Sequence, residues 1–371
     1  MSALLAETAA PTALGRFAVS PAVRRIELGA AAALFSERAQ QLYGLNPTAD
    51  AIWQALAAGV AAEDIAADLG PQGAEYVDAC LQPWLAAGFL VPADLVTGAP
   101  TSEHHLSIAG LACRIAIHGH LDLSAFAQFA APAAEAPLQL TAVEHPLGWF
   151  LLVGDAPRGL FPPNRIVSEL KAVLTDELTR AVGGGAFLIH AGLLAHERRG
   201  LLVSGHPGAG KTTLTLALAA RGFGYGSDDI VRVDAGRLEG VPFSPASKSG
   251  AWDLAAPYVP VVRDLPVHLR GDGQQVRYVP TAGFEAGDVD SLGWVLLLDR
   301  RAGARPVLEP VPPMAVLTEL LASAFAADHR LSADALEAFA AQLAAADCRR
   351  LVYSDLAEAV AAIEALVSSP A

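Results

Sequence analysis

Lysine is the scarcest charged residue in this chain, with only Lys171, Lys211 and Lys248 among 25 basic residues. Arginine is the default cation, so a retained lysine points to a place that wants a compact point charge. Cysteine is scarce too: Cys80, Cys113 and Cys348 are far apart, odd in number and in no C-x-x-C. That excludes a disulfide framework and a zinc site, and suits a reducing compartment. No basic excess exists; the net charge of −14 argues against a nucleic acid or an anionic membrane as partner. No long apolar run exists either. The longest weakly polar stretch, 181–195, is broken by four glycines and His190, too short and too interrupted to span a bilayer. Met1 to Phe17 contains Glu7 and lacks the basic start and apolar core of a signal peptide. The expectation is a cytoplasmic protein. What is present is core: 53% hydrophobic and 17% charged residues over 371 positions, enough for two or three well-packed domains.

The sharpest local pattern is Gly205-His206-Pro207-Gly208-Ala209-Gly210-Lys211-Thr212, followed by Thr213. It fits the phosphate-loop pattern G-x-x-x-x-G-K-[ST] at every fixed position. Leu201-Leu202-Val203 reads as the strand entering it, and residues 213–220 as the helix leaving it. Glycines let successive backbone N–H groups curl round a phosphate, and the helix N-terminus adds favourable partial charge. Lys211 would reach the β- and γ-phosphates and the Thr212 hydroxyl would face Mg²⁺. The expected cofactors are ATP and Mg²⁺. Sixteen residues on, Asp228-Asp229 opens an apolar strand at Ile230-Val231. Two carboxylates beside a nucleotide divide the labour, one holding the metal and the other taking the proton of an attacking hydroxyl. His190, in the apolar run Phe187–Leu194, is either a core histidine or a phosphate neighbour. Lys248, between Ser247 and Ser249, is either a phosphate contact or an exposed loop residue. His118 and His120 show no third metal ligand and read as surface histidines.

Residues 1–20 are Ala-rich and poorly patterned, expected as a mobile tail. Residues 21–95 alternate as three short strands up to Leu45, then carry three helical patterns and a closing strand. Thr48 is the expected cap of the first helix. Val96–Ser102 is turn-rich, so 96–104 reads as a linker and 105–371 as a second domain with its core at 186–235. Three C-terminal helices are expected over 315–326, 333–345 and 356–365.

Two resemblances attach to these stretches. Tyr43-Gly44-Leu45-Asn46-Pro47-Thr48 with Ile52-Trp53, Gly59 and Glu63-Asp64-Ile65 resembles the PqqD family of small winged-helix peptide-binding domains. That resemblance implies an extended precursor peptide docking along the third strand and third helix, with Gln41, Leu42, Tyr43, Val77 and Leu81 as contacts. Ile189-His190-Ala191, Ser204–Leu214, Arg221-Gly222-Phe223 and Ser227-Asp228-Asp229 resemble the HPr kinase/phosphorylase superfamily, whose fold is shared with phosphoenolpyruvate carboxykinase. The resemblance implies an α/β class fold, a P-loop mixed sheet with flanking helices, behind the small α+β domain. It also implies phosphoryl transfer from ATP to a Ser/Thr hydroxyl, with Asp229 or Asp228 as base, the other aspartate on Mg²⁺ and His190 beside the phosphate. Leu238-Glu239-Gly240-Val241-Pro242 departs from the Glu-Ile-Arg-Gly segment of that family, which leaves the phosphorylase activity and the HPr substrate open. The expected partner is a precursor peptide or acceptor protein; homo-oligomerisation stays open. Rival readings are an ATP-binding peptide chaperone that transfers nothing, and a kinase of a small hydroxyl compound.

Overall fold

The computed structural model describes residues 15–369 apart from 30, 39, 96, 97, 184 and 327–329. The expected tail at 1–14 lies outside the described residues. The chain is mixed α/β with several sheets, and its contacts divide it into two compact units. The first holds the described residues up to Leu106, with Ala112–Leu121 and Ala131–Ile166; the second holds Ser107–Leu111, Asp122–Ala130 and the described residues from Val167 on.

In the first unit β1 (Phe17–Val19), β2 (Val23–Leu28), β3 (Ala31–Ser36) and β4 (Gln41–Leu45) precede α1 (Pro47–Ala57), α2 (Ala62–Asp68), α3 (Gly73–Ala86) and β5 (Leu90–Pro92). β2, β3 and β4 form an antiparallel sheet with β4 at its edge, and β1 pairs with β5. Phe17–Val19 is therefore strand, not tail, and buried Phe17 joins the core. Helix α1 is capped by Asn46, whose Oδ1 accepts the Ala49 N–H at 2.8 Å; Thr48, the expected cap, lies inside the first turn behind Pro47. On α3 the i, i+4, i+8 positions Val77, Leu81 and Leu85 face inward with Trp84, which packs edge-on against Trp53 at 5.2 Å between ring centroids.

A five-stranded sheet follows: β6 (Ser102–Ile108), β7 (Leu111–His118), β8 (Leu138–His145), β9 (Gly148–Val153) and β10 (Ala156–Phe161), in the order β10-β9-β8-β7-β6. Val143 and Phe150 of this sheet share one hydrophobic core with Ile52, Trp53, Leu81 and Phe89. The contacts therefore do not divide at 96–104. A strand's outward face can be filled by a neighbour on either side, and alternation alone does not say which.

The second unit begins with α4 (Ile166–Ala181), β11 (Phe187–Ile189), β12 (Gly192–His196), β13 (Arg199–Gly205) and α5 (Lys211–Ala219). Next come β14 (Gly224–Ser227), β15 (Ile230–Asp234), β16 (Arg237–Val241), β17 (Ala246–Lys248), α6 (Trp252–Ala255), β18 (His268–Leu269) and β19 (Gln275–Tyr278). It ends with β20 (Ser291–Arg300), β21 (Val307–Pro310), α7 (Pro313–Leu321), β22 (Ala324–Ala326), α8 (Ala333–Ala345), β23 (Asp347–Tyr353) and α9 (Leu356–Ser368). The expected helix over 315–326 thus stops at Leu321, and its last residues pair with β11 as a strand.

The central sheet runs β14-β12-β13-β20-β23-β21, with β13, β20 and β23 parallel. Alternate residues feed two cores. Leu201, Val203, Leu296 and Leu298 pack with α5 and α9; Leu202, Val295 and Leu297 pack with α7 and α8. Burial on both faces is why these strands read as unbroken apolar runs. No helix among the described residues is long and apolar enough to cross a membrane.

Candidate functional site

The central parallel strand β13 ends at Gly205, and α5 starts six residues later at Lys211. Between them Gly208 and Gly210 take φ of +88° and +97°, in the left-handed range where a side chain is strained. At Gly210 space forbids one as well: a Cβ there would sit 2.5 Å from the Tyr353 hydroxyl, which donates 2.6 Å to the Ala209 carbonyl. His206, Pro207 and Gly208 are exposed, Thr212 and Thr213 half-buried. Lys211 folds back, its Nζ donating 2.8 Å to the Gly205 carbonyl. Burial pushes the Lys211 ammonium down, and nearby Lys248 pushes the same way against Asp229, Asp228 and Glu319.

Asp228 and Asp229 occupy the turn between β14 and β15 and not, as expected, the start of the strand. The Ser227 hydroxyl fixes that turn by accepting the N–H groups of Asp229 at 3.1 Å and Ile230 at 2.9 Å. The two carboxylates then part. Asp228 is buried and meets the Tyr225 hydroxyl at 3.4 Å, with the Thr212 side chain near enough to favour its charged form. Burial raises its pKa and Asp229 adds to the rise, against the pull of Lys171, Thr212 and His190. Asp229 keeps 31% of its side chain exposed and is held by two partners: Lys171 Nζ at 3.0 Å from Oδ2, and His190 Nδ1 at 2.9 Å from Oδ1. Burial opposes its charge, yet Lys171 and His190 hold it well below the usual carboxylate range.

Lys171, on α4, was singled out in the sequence only for its rarity. Its ammonium is nearly buried, and although burial would lower its pKa, Asp229, Asp228 and Tyr278 raise it. The helix is tied down one turn earlier by the Tyr278 hydroxyl, which donates 2.9 Å to Ser168. All three lysines of the chain therefore meet at one place: Lys171 on Asp229, Lys211 at the loop, and exposed Lys248, at the end of β17, within electrostatic reach of Lys211. Rarity was the available signal. His190 is the exposed position of an otherwise buried run: it sits in the break between β11 and β12 with 44% of its side chain exposed.

The described residues contain no group of three or more His, Cys, Asp or Glu able to hold a metal by itself, His118 and His120 included. Thr212 and Asp228 offer two oxygens beside the glycine loop. That set suits Mg²⁺, which takes one or two protein oxygens and completes its shell with substrate phosphates and water.

In the first unit the expected peptide contacts separate. Gln41 and Leu42 are exposed and Tyr43 half-buried on edge strand β4. Val77 and Leu81 are 0% and 1% exposed, inside the core, and offer nothing to a ligand. They share a helical face, but that face is the one turned inward. No protein-family model matches the chain, and no curated protein matches it.

Proposed function

We propose that the chain is an ATP-dependent kinase of the HPr-kinase-like kind, transferring a phosphoryl group to a Ser/Thr hydroxyl of a peptide recruited by a PqqD-like N-terminal domain. The observation that carries this reading is the juxtaposition of a glycine loop ending in Lys211-Thr212 with two carboxylates of opposite character. A nucleotide-binding site that served only binding would have no use for the second of them.

The loop N–H groups and Lys211 would hold the β- and γ-phosphates. Thr212 and Asp228 would hold Mg²⁺, which when bound neutralises charge on the phosphate oxygens. Asp229 is the carboxylate open to solvent, and Lys171 and His190 keep it in the charged form that accepts a proton. As the acceptor oxygen bonds to the γ-phosphorus, its proton passes to Asp229 Oδ and the bond from γ-phosphorus to the bridging oxygen breaks, releasing ADP. His190, beside Asp229, and Lys248, within electrostatic reach of Lys211, would offset charge on the moving group.

For the acceptor, β4 supports recognition by strand addition, since its pairing is with β3 alone among the described residues. Leu42, 60% exposed, is the apolar contact that strand presents. Covalent linkage of the peptide-binding domain would give the acceptor an effective concentration of about millimolar. The test is incubation with Mg-ATP and candidate leader-bearing peptides, reading by mass for a single added phosphoryl group. Hydrolysis of ATP with no peptide modified would defeat the proposal.

A further inference from the structure

The glycine loop has two sides, and the carboxylate pair occupies one. On the other lies a cavity of about 470 Å³ lined by Pro207 and Ala209 of the loop, by Asp299 and Arg300 at the end of β20, and by Glu319 and Arg350. Its place follows from the sheet. β13 and β20 run parallel with Gly205 opposite Leu298, and β20 and β23 run parallel with Leu297 opposite Arg350. The cavity therefore opens at the carboxyl ends of parallel strands, where open α/β sheets take their ligands. Leu297 packs into the α7/α8 core, so Asp299, two residues on, turns toward the same side. On α7, buried Val316 and Leu320 bracket half-buried Glu319.

The charges lining this cavity are not spent alike. Asp299 is engaged by Arg301 at 2.6 Å. Glu319 has no salt bridge or hydrogen bond among the described residues, although it is half-buried. A half-buried carboxylate without a partner, facing a cavity of ligand size, is a hydrogen-bond acceptor awaiting donors. Arg350, half-buried in the same wall, adds a flat guanidinium. The Lys211 ammonium is within electrostatic reach of Glu319 as well as of Asp228 and Asp229.

We infer that this cavity holds the nucleoside end of a bound nucleoside triphosphate. The ribose hydroxyls donate to the Glu319 carboxylate, the base lies against Arg350, and the phosphates run along the loop toward Asp228 and Asp229. This rests on the nucleotide reading of the loop and adds its polarity and the part of the ligand beyond the phosphates. No covalent step is involved.

Calorimetric titration of the full chain with Mg-ATP, Mg-2′-deoxy-ATP and Mg-tripolyphosphate tests it. ATP should bind tightest, with 2′-deoxy-ATP weaker by about tenfold, as fits the loss of a hydrogen bond to a charged group. Glu319→Ala should weaken ATP to the level of 2′-deoxy-ATP, leave tripolyphosphate unchanged and erase the discrimination between the two nucleotides. Retained tripolyphosphate binding shows that the variant is folded. Equal affinity of the wild type for ATP and tripolyphosphate would overturn the cavity assignment while leaving the loop standing, and so would a Glu319→Ala loss shared by all three ligands. Failure of the wild type to bind any of them would overturn the loop reading and this one with it.

Discussion

Two regions of the molecule invert the usual partition of polar and apolar side chains, in opposite senses. Around the glycine loop, Asp228, Asp229, Lys171 and Lys211 are drawn inward onto one another. On the β2–β4 sheet, Leu28 and Leu42 are turned outward, 59% and 60% exposed. Burying charge is costly unless it is paired; here Lys171 is paired with Asp229, while Lys211 turns to the Gly205 carbonyl. Exposing a large aliphatic forfeits about 1.5–3 kcal/mol of burial. Each inversion thus carries a cost that packing does not explain, and each coincides with a proposed binding surface. On the proposed reading the inward one serves a polyanion and the outward one a peptide. If that is right, damage to one should leave the other intact.

The largest expected effect is at Lys211. Lys211→Ala should lower phosphoryl transfer by about a thousandfold or more, since a point charge on the transferring phosphates acts mostly in the transition state. Leader-peptide affinity, measured by fluorescence anisotropy, should not move. A joint loss would dissolve the comparison, because it would make the two regions one site.

The two aspartates sharpen it within the loop region. Asp229→Asn should lower kcat by about a hundredfold to ten-thousandfold and also reduce thermal stability at neutral pH, since it strips Lys171 and His190 of their partner. Asp228→Asn should lower activity yet raise the melting temperature, because burial holds that carboxyl above its ordinary range. The signs follow from linkage. The depressed Asp229 gives stability that is complete above the unfolded carboxylate value and is lost as pH falls through the folded one. The melting-temperature gap between wild type and Lys171→Met should therefore narrow as pH drops below about 4 toward about 2. A constant gap would mean that Lys171 does not act through Asp229.

In the first unit the contrast is between Leu42 and Leu81. Leu42→Glu on exposed β4 should weaken peptide binding by about tenfold, the loss of one apolar anchor, with stability unchanged. Leu81→Ala in the core should cost about 2–5 kcal/mol of stability, read in urea unfolding. The reverse pattern would return Leu81 to the peptide surface.

That contrast also marks where the sequence was legible. Strand, loop and helix at 199–219 were readable because an apolar run, fixed glycines and a lysine each restrict the backbone locally. Periodicity correctly grouped Val77 with Leu81, but a shared face reads the same whether turned in or out. Lys171 escaped because its partner lies 58 residues away and a lysine on an amphipathic helix is ordinary. The packing of Val143 and Phe150 was not legible for a related reason: they complete a core whose other buried members precede them by many residues. Pairings between distant segments leave no mark in a local pattern.

The smallest effect expected is at Tyr353, and it tests whether the glycine loop is held in shape before any ligand arrives. Tyr353 ends β23, on the far side of β20 from β13, yet its hydroxyl reaches the Ala209 carbonyl at 2.6 Å and fills the space a Gly210 side chain would need. Tyr353→Phe keeps the ring in its core and removes only that hydrogen bond, worth about 0.5–1.5 kcal/mol. If the bond preorganises the loop, the loss should appear as a two- to tenfold weaker affinity for tripolyphosphate, about the same for ATP, with thermal stability shifted little. If it only supports the fold, stability should fall and both affinities stay put. Because the peptide strand β4 has no share in this bond, leader-peptide affinity is the control that must remain unchanged in either case.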